Sequence, residues 1–296
     1  MQIIKSIEEI SALEDNKIIG ADGLILDNVT IKFKGKNNIL FCDGAVHIID
    51  SVIEFNGSNS VVYLSSNRFE YRLRMLINNN SVFYSGKDNY YNGGINATLS
   101  EQKHIFIGDD GLLSFGGWIR TSDIHLVYST ETKKRLNPSK SVYIGDRVWL
   151  GQNVIVLKGS RIHSGSIIGA GAVLAGKRVP SNVSFAGNPA RQIATGVFWD
   201  NPSVHTWTNR QTAEHRECSE DKGIYENSSD YIPFDEIEKR LDSAKTAEEK
   251  LEYLKELSLN KSKNRFAYVP VPKPEPTTFR HKVRMKLKRL IERILK

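Results

Sequence analysis

Ile144, Leu150, Val156, Ile162, Ile168 and Leu174 place an aliphatic residue at every sixth position without a slip. The chain is 40% hydrophobic, so six such hits in a row arise by chance with a probability of about 0.004 before any choice of register. Turn formers stand between them: Gly145, Asp146, Gly151, Asn153, Gly159, Gly165, Gly169 and Gly171. The same register recurs upstream at Ile107, Leu113 and Ile119. An amphipathic helix needs apolar residues three or four apart and does not tolerate this much glycine. Short antiparallel hairpins are the alternative. A period of six predicts a parallel β-helix, in which each flat strand turns one residue inward and then meets a corner. Successive coils would stack about 4.8 Å apart and expose long clefts between side-by-side subunits.

A looser repeat precedes this one. IKFKGKNNILF (31–41) aligns with IEFNGSNSVVY (53–63), matching Gly35 with Gly57 and Asn37 with Asn59, and MLINNNSVFY (75–84) is a fainter third copy. These read as larger coils of the same solenoid, which would run over 20–198 after an N-terminal segment, 1–19. The regular register breaks once, at a polar segment without hexads, predicted to protrude as a loop over 125–143. Loops that leave a rigid repeat are where function concentrates.

Beyond the solenoid, 199–235 is polar with isolated aromatics and reads as a strap. Ile237, Leu241, Ala244, Leu251, Leu254 and Leu257 then predict a helix or helix pair within a helical extension over 236–269. A Pro-rich linker follows (270–278), and 279–296 sets Val283, Leu287, Leu290, Ile291 and Ile294 on one stripe of a basic amphipathic helix. Residues 280–296 carry eight Lys/Arg and one Glu, which accounts for the whole net charge of +7; the remaining chain has 33 of each sign. The basicity therefore belongs to a tail, which argues against a nucleic-acid-binding body. Such a helix suits an anionic membrane surface, or packing on another subunit or on a glycan-assembly protein. Two cysteines, Cys42 and Cys218, exclude a disulfide framework, and an acidic N-terminus without an apolar run predicts no export. The expected location is cytoplasmic, with peripheral attachment at the inner membrane face as an option.

IRTSDIHLVYSTETKKRLNPSKSVYIGDRVWLGQNVIVLKGSRIHSGSIIGAGAVLAGKRVPSNVSFAGNPARQI contains, in order, Ser-Asp-x-His, an excursion loop, IGD-x-VW-x-G, G-A-G-A and a closing A-G-N-P-A-R. Over 105–193 this set resembles the hexapeptide-repeat acyltransferases, in particular the sugar and capsular-polysaccharide O-acetyltransferases. The resemblance weakens over 20–104 and does not reach the tail. It implies a left-handed coil, a homotrimer, acetyl-CoA as co-substrate and a glycan acceptor.

Acetyl transfer to a sugar hydroxyl requires a base that removes the proton as the oxygen attacks, a task suited to imidazole near neutral pH. His125 is the candidate, and the family places its catalytic histidine there. Asp123 would orient the ring or touch the acceptor, since residues i and i+2 of an extended strand point the same way; Ser122 is a weaker wall residue. Trp149, one residue before a hexad position, should project outward as a wall of the site or a subunit contact. Gly169, Ala170, Gly171 and Ala172 are small enough for a pantetheine arm to lie against the backbone. Gly187, Lys177, Arg178 and Arg191 would supply the last coil and phosphate-binding charge, Lys177 and Arg191 being the better family matches.

His163 follows a hexad residue and reads equally as a neighbour of the acyl donor or as a plain outward side chain; His47, His104 and His205 have no nameable partners. The spacing of three histidines that a zinc enzyme of this fold needs is not present, so no metal is expected. No serine or cysteine has the setting of a covalent nucleophile, which favours direct transfer. An N-acetyltransferase of an amino-sugar nucleotide and a non-catalytic β-helical scaffold remain the alternatives.

Overall fold

The computed structural model describes residues 1–270; the expected basic helix lies outside them. The chain winds into a parallel β-helix of about seven coils, closed by three sheets. Sheet 1 runs from Leu24–Phe33 to Val173–Leu174, sheet 2 from Lys17–Ile19 to Arg178–Val179, and sheet 3 from Tyr90–Asn92 to Val183–Ala186. Two antiparallel strands finish the ends: Gln2–Ile4 on the first coil and Arg191–Thr195 on the last.

The hexads explain the cross-section. Ile107, Leu113 and Ile119 lie on sheets 2, 3 and 1 in turn, and Ile144, Leu150, Val156, Ile162, Ile168 and Leu174 repeat that rotation twice. Ile144 stacks on Ile162, and Val156 on Leu174. All nine are 4% exposed or less, each contributing about 2 kcal/mol of apolar burial.

The 22-residue repeat is the same device with a longer turn. Ile31 pairs with Ile53, Ile53 with Met75, and Ile39 with Val61. Asn37, Asn59 and Asn80 take φ of 57°, 60° and 54° at the corner between sheets 1 and 2. Asparagine tolerates this left-handed region better than other side chains, which is why the repeat keeps it. Gly35 is needed because a Cβ there would stand 2.1 Å from the Gly57 carbonyl oxygen.

Among the described residues three α-helices follow: α1 (Asn209–Glu214), α2 (Phe234–Ser243) and α3 (Ala247–Leu259). Phe234, Ile237, Leu241, Leu251, Leu254 and Leu257 pack on an outward stripe of sheet 2 that includes Tyr63, Tyr84, Phe106 and Tyr143. The extension thus covers one of the three faces and leaves the other two open. His163 points outward from the coil but is trapped beneath this cover. It is 1% exposed and stacked on Phe234 at 4.9 Å, with its Nδ1 hydrogen-bonded to the Phe266 carbonyl at 3.2 Å. No helix among the described residues is long and apolar enough to cross a membrane.

Candidate active site

The loop leaves the solenoid after Trp118–Arg120 and returns at Val142–Ile144, so it replaces the corner between sheets 1 and 2 in one coil. Its tip is a small hairpin, with Tyr128 bridged to Arg135 and the Ser129 amide donating to the Lys134 carbonyl. Its base is pinned by charge. Arg135 forks onto Glu101 at 2.6 and 2.9 Å, and the Ser139 amide donates to the same carboxylate at 3.1 Å. These donors, Arg135 first, hold Glu101 down to about 2.

Asp123 and His125 do not lie side by side on a strand. The chain bends at Ile124–His125, which breaks the alternation that the i, i+2 spacing implies. The Asp123 carboxylate instead accepts from Lys158 Nζ at 2.5 Å and from Asn137 Nδ2 at 3.1 Å, and the Lys158 ammonium lowers its pKa from the usual carboxylate value. Asn137 Nδ2 also donates to the His125 carbonyl at 2.7 Å, while its Oδ1 accepts from the Val127 amide at 2.9 Å. The His125 backbone is therefore clamped, whereas its ring is exposed and makes no hydrogen bond among the described residues. Ser122 is buried at the loop base.

Lys158, Asn137 and Glu101 hold the base of the loop, and the sequence pattern does not single them out. Asn137-Pro138 is legible as a turn step; Lys158 and Glu101 carry no signal, because their partners lie 35 and 34 residues away.

Lys158 and Lys177 occupy the same edge as the loop, in the next two coils, since both fall between strands of sheets 1 and 2. Lys177 has no side-chain partner among the described residues. Arg178 is otherwise engaged: exposed on sheet 2, its guanidinium lies 4.0 Å over the Tyr268 ring. Gly169–Ala172 and Gly187 stand at a different edge, between sheets 3 and 1, near Arg191. Ala172 points into the core at 0% exposure, whereas a Cβ on Gly171 would meet nothing within 4 Å. This edge therefore has room for an extended arm. Trp149 does project outward, 38% exposed on sheet 3, with Trp199 at 6.2 Å.

In a three-faced prism the edge between sheets 1 and 2 lies opposite sheet 3. One chain therefore brings His125, Asp123 and Lys177 to one edge, and the small residues, Arg191 and Trp149 to another side. Five large apolar residues of the loop, Ile124, Leu126, Val127, Tyr128 and Leu136, are 49–72% exposed around the histidine.

Residues 141–176 match the bacterial transferase hexapeptide (six repeats) family. The chain is 34% identical over 146 residues to a polysialic acid O-acetyltransferase of Neisseria meningitidis, spanning 49% of this chain and 67% of that protein. It is 37% identical over 110 residues to a galactoside O-acetyltransferase of Lactococcus lactis, spanning 36% of this chain and 52% of the relative. A solved polySia-specific acetyltransferase, NeuO, superposes with a TM-score of 0.56 at 26% identity, over 68% of this chain and 95% of that one. The coil is thereby the left-handed β-helix of these enzymes. With its hexads, its excursion loop and these relatives, the chain belongs to the hexapeptide-repeat acyltransferases, in the branch of sugar and capsular-polysaccharide O-acetyltransferases.

Proposed function

We propose that this enzyme moves an acetyl group from acetyl-CoA to a hydroxyl of a bacterial cell-surface glycan, by direct transfer, with His125 as general base. The observation that carries the reading is the clamped backbone and free ring of His125 at the mouth of a loop braced by Glu101, Lys158 and Asn137. A base must be held in place yet keep an open nitrogen for the hydroxyl proton. The thioester supplies the activated acyl carbon. His125 takes the proton as the acceptor oxygen bonds to that carbon and the C–S bond breaks, then returns it to the departing sulfur, so no group remains on the protein. Gly169–Ala172 and Gly187 would receive the pantetheine arm, and Lys177 and Arg191 the phosphates.

Because the two sets of residues lie on different sides of one prism, the working site is built between copies, the loop edge of one against the small-residue edge and Trp149 of the next. A closed ring of three satisfies this heterologous contact and covers the apolar loop. Replacing His125 by Ala should leave the fold intact, since the ring bonds nothing among the described residues, and should reduce thiol release from acetyl-CoA in the presence of acceptor by about 10²–10⁴-fold. A panel of bacterial glycans, with NMR location of the new ester, would identify the acceptor. Undiminished turnover in His125→Ala would overturn the assignment.

A further inference from the structure

A recess of about 540 Å³ opens on the edge between sheets 1 and 2, directly beneath the loop. Its solenoid wall is the corner of two successive coils, Asn80 and Glu101–Lys103; its other wall is the α2–α3 hairpin, with Asp242 at the end of α2, Lys245 in the turn and Lys250 in the first turns of α3. The loop occupies the next coil on the same edge. With coils about 4.8 Å apart, the recess and the His125 loop are neighbours along one track.

The charges facing this recess are unequally satisfied. Glu101 is taken by Arg135 and Ser139. Asp242 is taken by Lys103 at 2.8 Å and by His104 at 3.1 Å. Glu249, outside the lining, accepts from the Lys245 backbone amide at 2.7 Å. Lys250 has no such counter-ion among the described residues. Its side chain is almost wholly buried, 1% exposed as a residue, and its Nζ makes one hydrogen bond, to the Asn59 carbonyl at 3.0 Å. An ammonium has three donors, so two have no hydrogen-bond partner among the described residues. Lys245, exposed at the mouth, has no side-chain partner among the described residues. Burial pushes the Lys250 pKa down to about 8, against the smaller raising effect of the neighbouring Glu249 carboxylate.

We propose that this recess is an accessory subsite for an acidic residue of the acceptor glycan, whose sugar carboxylate takes Lys250 and Lys245 as its counter-ions. It rests on His125 being the reacting edge, because that edge is what makes the recess part of the acceptor's path. A polymer with one end here presents a hydroxyl at the loop a short distance along the chain. Glu101 lines the recess and also grips the loop base through Arg135 and Ser139, so an occupied subsite and an ordered loop share one wall.

The test uses full-length protein carrying His125→Ala, titrated with a carboxylated oligosaccharide (oligosialic acid) and with its carboxyl-reduced, neutral counterpart. The carboxylated form should bind at least tenfold more tightly, and adding Lys250→Met or the exposed Lys245→Gln should erase the difference. In the active protein the same two substitutions should raise KM for the carboxylated acceptor about tenfold. They should leave kcat, KM for acetyl-CoA and turnover of the neutral acceptor unchanged. Equal affinity for both oligosaccharides, or variants that alter both acceptors alike, would overturn the subsite. So would saturation by inorganic phosphate with no response to the oligosaccharide, which would reassign the cations to a phosphate ligand. If His125→Ala retained full turnover while the lysine variants still lost binding, the base assignment would fail and the subsite would stand. If His125→Ala were inactive and indifferent to carboxylates, the base assignment would stand and the subsite would fail.

Discussion

Arg265 Nη2 lies 2.7 Å from Asp146 Oδ1, and Nε lies 2.8 Å from Oδ2 of the same carboxylate. Both residues are buried, and Asp109 adds a second carboxylate at 2.9 Å. This pair ties the part of the helical extension that follows α3 to the Ile-Gly-Asp turn of the solenoid, 119 residues earlier. It is one of the contacts that make the extension part of the same folded body.

Removing Arg265 leaves Asp146 charged, buried and uncompensated. Arg265→Met should therefore cost about 3–5 kcal/mol, measured by denaturant unfolding at pH 7. Burial already raises the Asp146 pKa, and without the guanidinium it should rise further. The folded variant then gains protons that its unfolded chain does not, so its deficit should shrink as pH falls. A loss below 1 kcal/mol at pH 7 would show the pair to be dispensable.

Lys158 and Asp123 are partly exposed, so their pairing should add no more than about 1 kcal/mol to stability. Its importance is positional. Lys158→Met should leave Tm almost unchanged while lowering turnover by about 10–100-fold, the range expected when a reacting group is displaced by about an ångström. The Asp123 carboxyl, held low by Lys158, should titrate nearer the ordinary value of about 3.9 in the variant. The pair contributes above that ordinary value and is lost as pH falls through the lowered one. Carboxyl NMR would follow both proteins, and identical titrations would rule out the contact.

Ile124 and Leu126 are 72% and 56% exposed in the single chain, so the coil itself does not need them. Ile124→Asp combined with Leu126→Asp should shift the proposed ring of three toward monomer in sedimentation. The far-UV spectrum should not change. A trimer that survives both charges would place the loop away from any subunit contact.

His163 is pushed down to about 4 by burial, while an unfolded histidine titrates near 6.5. Between those values the unfolded chain holds a proton that the folded one lacks, so stability rises with pH. Acidification from about 6.5 to 4 should cost on the order of 3 kcal/mol through this one ring. His163→Phe should flatten that part of the pH–stability curve, at about 1 kcal/mol at neutral pH for the lost bond to the Phe266 carbonyl. An unaltered curve would mean another group is responsible.

The hexad residues, the corner asparagines and Gly35 are legible because each answers to a constraint repeated along the chain. An inward position, a left-handed corner or a close approach of the next coil leaves its mark at a fixed spacing. His125 is legible as the residue at the mouth of the one segment that abandons that spacing. The spacing of Asp123 implies an extended strand shared with the histidine, but the strand ends at Arg120 and the chain bends at Ile124–His125, so strand alternation does not apply to the pair.

Order along the chain is thus sufficient for the coil, the loop and the general character of the helices, since six-residue and helical periodicities record local geometry. Which face α2 and α3 cover, why His163 is sealed and Arg178 diverted to Tyr268, and how Lys250 comes to be a buried cation are settled only on folding. Those outcomes depend on partners up to about two hundred residues apart, and a contact between distant, unrepeated positions leaves no period in either segment. The same holds for the two sides of the prism: the winding alone separates the histidine from the small-residue edge.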